Sequence, residues 1–321
     1  MNESNTAVIG HSQFLPSALA DMIEAAYGLS HPIQITLLRA WTNDVYAVSG
    51  NDAHYILKVY RAAWRRSPDV AWEVALQAWL AGHGGLAPSV VPLANGELFN
   101  MLPAPEGPRC FALFHMARGH KPRAPWSPAL WEAYGRGAAL LHQAADGFNS
   151  PLPRFSRTLD DLLDSSVNHI TTWLADRPLD VEIVCWVSAS AGARLSPLLP
   201  ELDWGICHGD LSLDNLHMLA DGYVTLYDFD SSCHGWRAWD VCNALGYAES
   251  EHQDGFLRGY RSVRPFSDAE IAAVPFFTAA DELRMMADEI TRWSEWFGRS
   301  RVESYIDEKL DWLRTWHEGI K

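Results

Sequence analysis

Apolar positions in this chain open on helical spacing, pass into strand-like runs, and return to helical spacing for most of the remaining length. Residues 14–29 predict an amphipathic helix, with Pro16 near its start and Gly28 near its end. Residues 33–38, 45–49 and 55–60 then read as three strands, the last two separated by a turn at Gly50-Asn51-Asp52. Ser67 is a good cap and Pro68 a good first-turn residue for a helix whose Trp72, Leu76, Trp79 and Leu80 recur at i, i+4, i+7 and i+8. Residues 90–93 and 97–101 read as a hairpin about Asn95-Gly96. Residues 109–116 read as a further strand, broken by Ala117-Arg118-Gly119.

Beyond this point helices dominate. Ser127-Pro128 opens one that runs through Gln143, with Trp131, Tyr134, Ala138 and Leu141 on one face. Helical spacing resumes over 159–174 and near 179–191. Residues 216–220 and 223–227 form the clearest predicted hairpin, because Asp221-Gly222 suits a two-residue turn with both φ positive. Ser267-Asp268-Ala269-Glu270 is a capping box with Phe266 and Ile271 as its staple. Helices are then expected over 278–297 and 302–318.

At 321 residues, 48% hydrophobic and 20% charged, the chain is long enough for two sizeable cores and too apolar to be disordered. A formal net charge of −15 argues against a nucleic-acid partner. It suits a cationic small substrate, and solubility explains it equally well. The five cysteines include no C-x-x-C pair, which argues against a zinc site or disulfide scaffold and fits a reducing cytoplasm. Residues 1–10 lack an apolar signal core, and no run approaches the roughly 18 apolar residues of a membrane span. Asp281, Glu282, Asp288 and Glu289 make an acidic stripe, readable as a solvated face or a binding face. The 15 Trp residues fall mostly at helical spacing and point to core packing, though Trp236 or Trp293 could stack on a sugar or cage a cation.

Chemistry concentrates in 204–230. His208, Gly209 and Asp210 sit in a loop, Asn215 follows five residues after Asp210, and the hairpin ends on Asp228-Phe229-Asp230. A hairpin of this length returns its second strand beside its first, so Asp210 and Asn215 are expected to face Asp228. Phosphoryl transfer needs a carboxylate beside the attacking hydroxyl and oxygen ligands for Mg²⁺ on the nucleotide phosphates. Upstream, Lys58 is the only charge in an apolar strand, and Glu73 borders an apolar helix stripe one turn in.

His208-Gly209-Asp210-x-x-x-x-Asn215 followed by Asp228-Phe229-Asp230 resembles the aminoglycoside phosphotransferase and choline kinase superfamily, whose catalytic loop is H-G-D-x-x-x-x-N. The resemblance implies an α+β, two-lobed protein-kinase-like fold. A nucleotide-binding lobe is expected over 1–116, a catalytic and acceptor-binding lobe over 117–321, and a hinge at about 114–119. It implies ATP or GTP with Mg²⁺ as cofactors. Asp210 would act on the acceptor hydroxyl, Asn215 and Asp228 would hold the metal, and Lys58 would grip the phosphates with Glu73 as its partner. Thr42 and Asn43 would donate to phosphate from the connection 39–44, which departs from a Gly-rich loop in having no glycine. The backbone of His115 and Ala117 would meet the adenine, with Phe114 flanking the ring. His208 and Asp240 would support the catalytic loop, and His142 matches a Leu-His packing position. By resemblance, the segments at 159–191 and the C-terminal helices wall the acceptor pocket, with Asp281, Glu282 and Asp288 as candidate contacts.

Residues 211–215 look like type II homoserine kinases, whereas the stretch after Asp228 looks more like stress-response and spectinomycin-type kinases. The acceptor is therefore left open. The leading expectation is a cytoplasmic kinase for a small cationic hydroxyl compound such as an antibiotic, an amino alcohol or a homoserine-like molecule. A Ser/Thr protein kinase of the stress-response type and a nucleotide-binding pseudokinase are the alternatives. Lys58, Asp210, Asn215 and Asp228 together disfavour the pseudokinase. Only residues 229–239 separate Asp228 from Asp240, and Gly209 replaces the Arg of H-R-D, so no phosphorylatable activation loop is expected.

Overall fold

The alternation of residues 34–60 folds as an antiparallel meander. The structure, a computed structural model, describes residues 9–29, 33–50, 53–62, 64–246, 248–294 and 298–320. They fall into two compact units. The first comprises Met1–Ala124, Gln143–Arg154 and Asn215–Asp230; the second comprises Pro125–His142, Phe155–Asp214 and Ser231–Lys321. The units interleave along the chain.

In the first unit, helix α1 (Pro16–Tyr27) precedes strands β1 (Gln34–Ala40), β2 (Asn43–Gly50) and β3 (Ala53–Tyr60). Helix α2 (Ser67–Gly82) follows, then β4 (Val90–Val91), β5 (Asn100–Leu102) and β6 (Arg109–His115). The sheet order is β1-β2-β3-β6-β4, with β5 also on β6. Period-two alternation divides its side chains between two cores. Leu57, Val59, Phe111 and Leu113 pack with Leu19, Ile23 and Tyr27 of α1. Tyr60, Ala112 and Phe114 pack with Val70 and Val74 of α2. Lys58 lies between Leu57 and Val59 and therefore faces the α2 side.

Several local expectations are revised. The connection 39–44 shrinks to a turn at Trp41-Thr42, because Arg39 and Ala40 continue β1 while Asn43 and Asp44 begin β2. Asn51 and Asp52 of the next turn lie outside the described residues. Residues 90–101 are not a hairpin. A local turn closes at Asn95-Gly96, with Leu93 N–H donating to the Glu97 carbonyl at 2.8 Å, but β4 and β5 each pair with β6. Ser67 lies just inside α2, and Asp69 accepts the Arg66 N–H one residue earlier at 3.1 Å. Helix α3 (Pro128–Ala145), which lies mainly in the second unit, opens where Ser127 Oγ accepts the Leu130 N–H at 3.2 Å.

The rest of the second unit is helical around two short strands. Helices α4 (Ser165–Trp173) and α5 (Pro178–Leu195) precede β7 (Trp204–Cys207). The hairpin β8 (Leu216–Met218) and β9 (Val224–Leu226) belongs to the first unit. Its loop is a turn over Leu219–Gly222 in which only Gly222 takes positive φ, so it is a three-residue loop ending on a left-handed Gly. Strand β10 (Cys233–Trp236) pairs with β7 in the second unit. Helices α6 (Arg237–Asp240), α7 (Cys242–Leu245), α8 (Ser250–Arg261), α9 (Asp268–Asp288) and α10 (Arg299–Ile320) follow. Helix α9 packs against α4, α5, α6, α7 and α10 and forms the axis of this unit. It begins at the Ser267–Glu270 capping box rather than at 278, and a π-turn over Glu289–Trp293 follows it. Residues 295–297 of the expected helix lie outside the described residues.

Candidate active site

Lys58 organises the polar centre of the first unit. Its Nζ donates to Glu73 Oε1 at 3.1 Å and Asp228 Oδ1 at 2.8 Å, and lies 3.7 Å from Asp230 Oδ2. Glu73 is 1% exposed, and its Oε1 also accepts the Tyr60 hydroxyl at 2.9 Å. Burial alone would strip the charge from Lys58, but Asp228, Asp230 and Glu73 hold its ammonium above the ordinary value. Burial raises Glu73 despite Lys58.

Asp228 terminates the β9 hairpin at φ 67°, the only positive-φ residue other than Gly among those described. Asp tolerates this region better than most residues. Its second oxygen, Oδ2, accepts Arg39 at 3.2 Å. A bulge between Leu37 and Arg39 in β1 sets the direction of that side chain. Asn215 is buried, and its carbonyl accepts the Tyr227 N–H at 3.0 Å, which fixes it one ladder step from Asp228.

Asp230, to which the sequence reading gave no role, is the most heavily supported carboxylate of this unit. Oδ2 accepts Asn43 Nδ2 at 2.7 Å and Trp64 Nε1 at 2.9 Å. Its carbonyl accepts Arg65 Nε at 2.9 Å and an Arg154 terminal nitrogen at 2.6 Å. Burial would raise its pKa, but Lys58, Arg65, Trp64 and Asn43 hold it below the usual carboxylate range. The Asn43 side chain is thus turned inward: its Oδ1 accepts the Arg61 N–H at 3.3 Å, and a phosphate would find only its backbone. Thr42 is half-buried in the β1–β2 turn. At the expected hinge Phe114 is buried in the α2-side core, the His115 N–H donates to the Ser89 carbonyl at 2.9 Å, and His217 Nδ1 lies 3.2 Å from the Ala117 carbonyl.

In the second unit β7 delivers the chain into His208-Gly209-Asp210. Asp240 at the end of α6 accepts the His208 N–H through Oδ2 at 2.7 Å and the Gly209 N–H through Oδ1 at 2.8 Å. The same Oδ2 lies 2.8 Å from His142 Nε2. Burial opposes ionisation of Asp240, but His142 and the loop amide bonds hold its carboxyl below the ordinary value. Gly209 has φ 79°, and a Cβ there would stand 2.1 Å from the Ser231 carbonyl oxygen, so the loop excludes the Arg of H-R-D. Ser232 Oγ donates to the His208 carbonyl at 3.1 Å, and the Asp210 N–H points to His208 Nδ1 at 3.3 Å. Asp210 is itself exposed. The loop backbone is clamped while its carboxylate reaches solvent.

The acidic stripe is not a solvated face. Asp281 and Glu282 are each 1% exposed. Asp281 Oδ1 accepts Trp239 Nε1 at 2.9 Å and Arg284 Nε at 2.6 Å. Glu282 pairs with Lys309 at 3.0 Å, and Asp288 with Arg284 at 2.8 Å and Arg292 at 3.2 Å. Trp236 meets Trp204 edge-on at 4.8 Å, and Trp293 is 8% exposed, so both pack within the unit.

An antiparallel sheet with a Lys–Glu–Asp centre, and a helical unit clamping a His-Gly-Asp loop, define the protein-kinase-like class. Two solved structures share the fold at TM-score 0.73: an amicoumacin kinase in complex with AMP-PNP and Ca²⁺ (18% identity, 94% of this chain, 93% of that one) and a microcompartment-associated aminopropanol kinase (22% identity, 94% and 98%). Residues 34–267 match the phosphotransferase enzyme family APH, and the chain belongs to that family and is a kinase. Among relatives, an uncharacterized protein of Deinococcus radiodurans is 37% identical over 96% of this chain and 92% of its own length. A homoserine kinase of Phenylobacterium zucineum is 30% identical over 79% of this chain and 77% of its own. No described helix is long and apolar enough to cross a membrane.

Proposed function

We propose that the protein transfers the terminal phosphoryl group of ATP, with Mg²⁺, to a hydroxyl of a small amine-bearing acceptor in the cytoplasm. The observation that carries the small-molecule reading is the stretch after Asp228. The turn Phe229–Ser231, β10 and α6 take up almost all of it, leaving no free loop on which a peptide would lie. The relatives' substrates favour the amine: aminopropanol and homoserine each carry an amine and a hydroxyl. The buried, paired acids of α9 give no support to attraction by an open acidic field.

The first unit is assigned the nucleotide and the second the acceptor. Lys58, oriented by Glu73, binds the phosphates. Phe114 and the backbone of His115 and Ala117 receive the adenine, and the Trp41-Thr42 turn contributes backbone and the Thr42 hydroxyl. The donor set fits Mg²⁺: Asp228 and Asn215 offer one carboxylate and one amide oxygen, suited to an ion that keeps substrate phosphates and waters as its other ligands. When bound, that ion neutralises charge developing on the phosphates. Asp210 orients the acceptor hydroxyl and accepts its proton. Asp240 and His208 hold the backbone that aims Asp210.

Single-turnover transfer from labelled ATP or GTP tests this against aminopropanol, homoserine, choline, aminoglycosides, spectinomycin and a generic basic protein. Transfer to at least one amine-bearing small molecule is expected. Efficient labelling of the protein alone would overturn the reading in favour of a stress-response-type protein kinase. Nucleotide binding with no transfer to any acceptor would favour the pseudokinase.

A further inference from the structure

The clamp on the catalytic loop continues one residue past Asp240 and His142, to α8. His142 is wholly buried. Its Nε2 is 2.8 Å from Asp240 Oδ2, and its Nδ1 is 2.8 Å from the Tyr260 hydroxyl. Its carbonyl accepts an Arg237 terminal nitrogen at 3.2 Å. Tyr260 is 1% exposed, with its ring against Phe256 and Phe266.

Close backbone approach brings the tyrosine there. A Cβ on Gly135 of α3 would stand 1.9 Å from the Phe256 carbonyl oxygen, and one on Gly259 of α8 would stand 1.9 Å from the Glu132 carbonyl oxygen. Reciprocal glycines thus let the two helices touch, and the residue after Gly259 reaches the last residue of α3 within this unit.

The donor and acceptor inventory then has one solution. Burial, with Arg237 and Arg264 nearby, pushes the His142 imidazole down towards neutrality, against the pull of Asp240. A neutral imidazole carries one N–H. Asp240 is ionised and only accepts, so the proton belongs on Nε2. Nδ1 must then accept, and the Tyr260 O–H supplies the donor. Burial raises the Tyr260 pKa, which keeps that hydroxyl protonated.

We propose that Tyr260 is a positioning residue for phosphoryl transfer: its hydroxyl fixes the Nε2–H tautomer of His142, and His142 in turn orients the Asp240 carboxylate that holds the His208 and Gly209 amides. This rests on Asp210 acting on the acceptor. Without the hydroxyl, Nδ1 is a buried acceptor lacking its donor, and the alternative tautomer turns a lone pair towards Asp240.

The test compares Tyr260→Phe with Tyr134→Phe, which removes another buried hydroxyl in this unit, one without a hydrogen-bond partner among the described residues. Loss of one such bond corresponds to a fall in kcat on the order of tenfold. Tyr260→Phe should show that fall with nucleotide Kd unchanged, and the ¹⁵N resonances of His142 should move off the Nε2–H pattern. Tyr134→Phe should change neither. In a His142→Asn background, Tyr260→Phe should have no further effect. Wild-type kcat in Tyr260→Phe, unchanged His142 resonances, or an undiminished effect in the His142→Asn background would each overturn the proposal. Asp210→Ala serves as the separate control: full activity there would sink the assignment of Asp210, whereas an inactive Asp210→Ala beside a normal Tyr260→Phe would sink only the role of Tyr260.

Discussion

Lys58→Met is the most informative single perturbation of the first unit, because the structure predicts both its cost and the pH dependence of that cost. Removing the ammonium leaves three carboxylates. Asp230 keeps Asn43, Trp64 and the nearby Arg65, and Asp228 keeps Arg39 and is partly exposed. Glu73 is 1% exposed and, among the described residues, keeps the Tyr60 hydroxyl as its side-chain hydrogen-bond donor. It will take up a proton rather than stay charged in a dry site. An ordinary Glu titrates near pH 4.3, and each pH unit is worth about 1.36 kcal/mol, so keeping Glu73 protonated at pH 7 costs up to about 3.7 kcal/mol, less the part the wild type already bears because burial raises Glu73 there too. That agrees with the ~3–5 kcal/mol expected when one partner of a buried pair is removed. The sign follows from linkage. Glu73 in the variant has a folded pKa raised above its unfolded value, so the deficit is present at pH 7 and shrinks as pH falls, to about 1 kcal/mol at pH 5. Urea unfolding of wild type, Lys58→Met and Lys58→Met/Glu73→Gln at both pH values measures this. The double variant should recover most of the loss at pH 7. A deficit below about 1 kcal/mol at pH 7, one that does not change with pH, or no recovery in the double variant would refute the reasoning.

Asp210→Ala should lower kcat on the order of 10²–10⁴-fold, as loss of a general base does, while nucleotide Kd measured by calorimetry is retained. Asp228→Asn should raise the Mg²⁺ concentration needed for half-maximal activity, because an amide supplies a dipole where a carboxylate neutralises charge; a Mg²⁺ titration reads this directly. Burial pushes Glu289 up to about 7, against Arg301 and with help from Asp288. Its folded pKa exceeds the ordinary carboxylate value, so it makes stability decline as pH rises from about 4.5 to about 7. Thermal unfolding of Glu289→Gln across that window should show a flatter profile than wild type.

What the sequence made legible was whatever chain-local spacing encodes. The alternation over 34–60 is a half-buried meander because each strand pairs with its immediate neighbour. Gly209, Asp210 and Asn215 could be found because seven consecutive residues carry them. The larger misreadings share one cause, a partner distant in sequence. Asn95-Gly96 does form a turn, but β4 and β5 answer to β6, which comes after both. Asp281 and Glu282 look like a wet acidic stripe until Trp239 and Lys309 arrive from other helices. Asp230 draws its support from Asn43, Trp64 and Arg154, residues scattered through the unit, and no pattern within the Asp-Phe-Asp motif announces them. The Tyr260–His142 bond is equally silent, although Gly135 and Gly259 are its trace in the sequence: two glycines inside helices, where they weaken the helix, call for a reason.

Asp228 and Asp230 stand two residues apart and differ in a way that bears on how the centre works. Asp230 is fixed from several directions, its backbone in ordinary conformation and its carboxylate enclosed. Asp228 sits at φ 67° with its carboxylate partly exposed and held on one oxygen by buried Lys58 and on the other by exposed Arg39. A left-handed residue other than Gly costs roughly 1–3 kcal/mol and persists only where the surroundings impose it. Here the surroundings are the β9 ladder before it and the locked Asp230 after it. The strain therefore lies on the one carboxylate free to exchange partners, between two residues that are not. Asp230 anchors the backbone, Lys58 supplies a cation that Asp228 shares with Glu73, and Arg39 can swing away without breaking a buried contact. That distribution, rigid support on either side of one exchangeable acid, is the arrangement a site needs if it is to accept and release a charged nucleotide without unfolding its core.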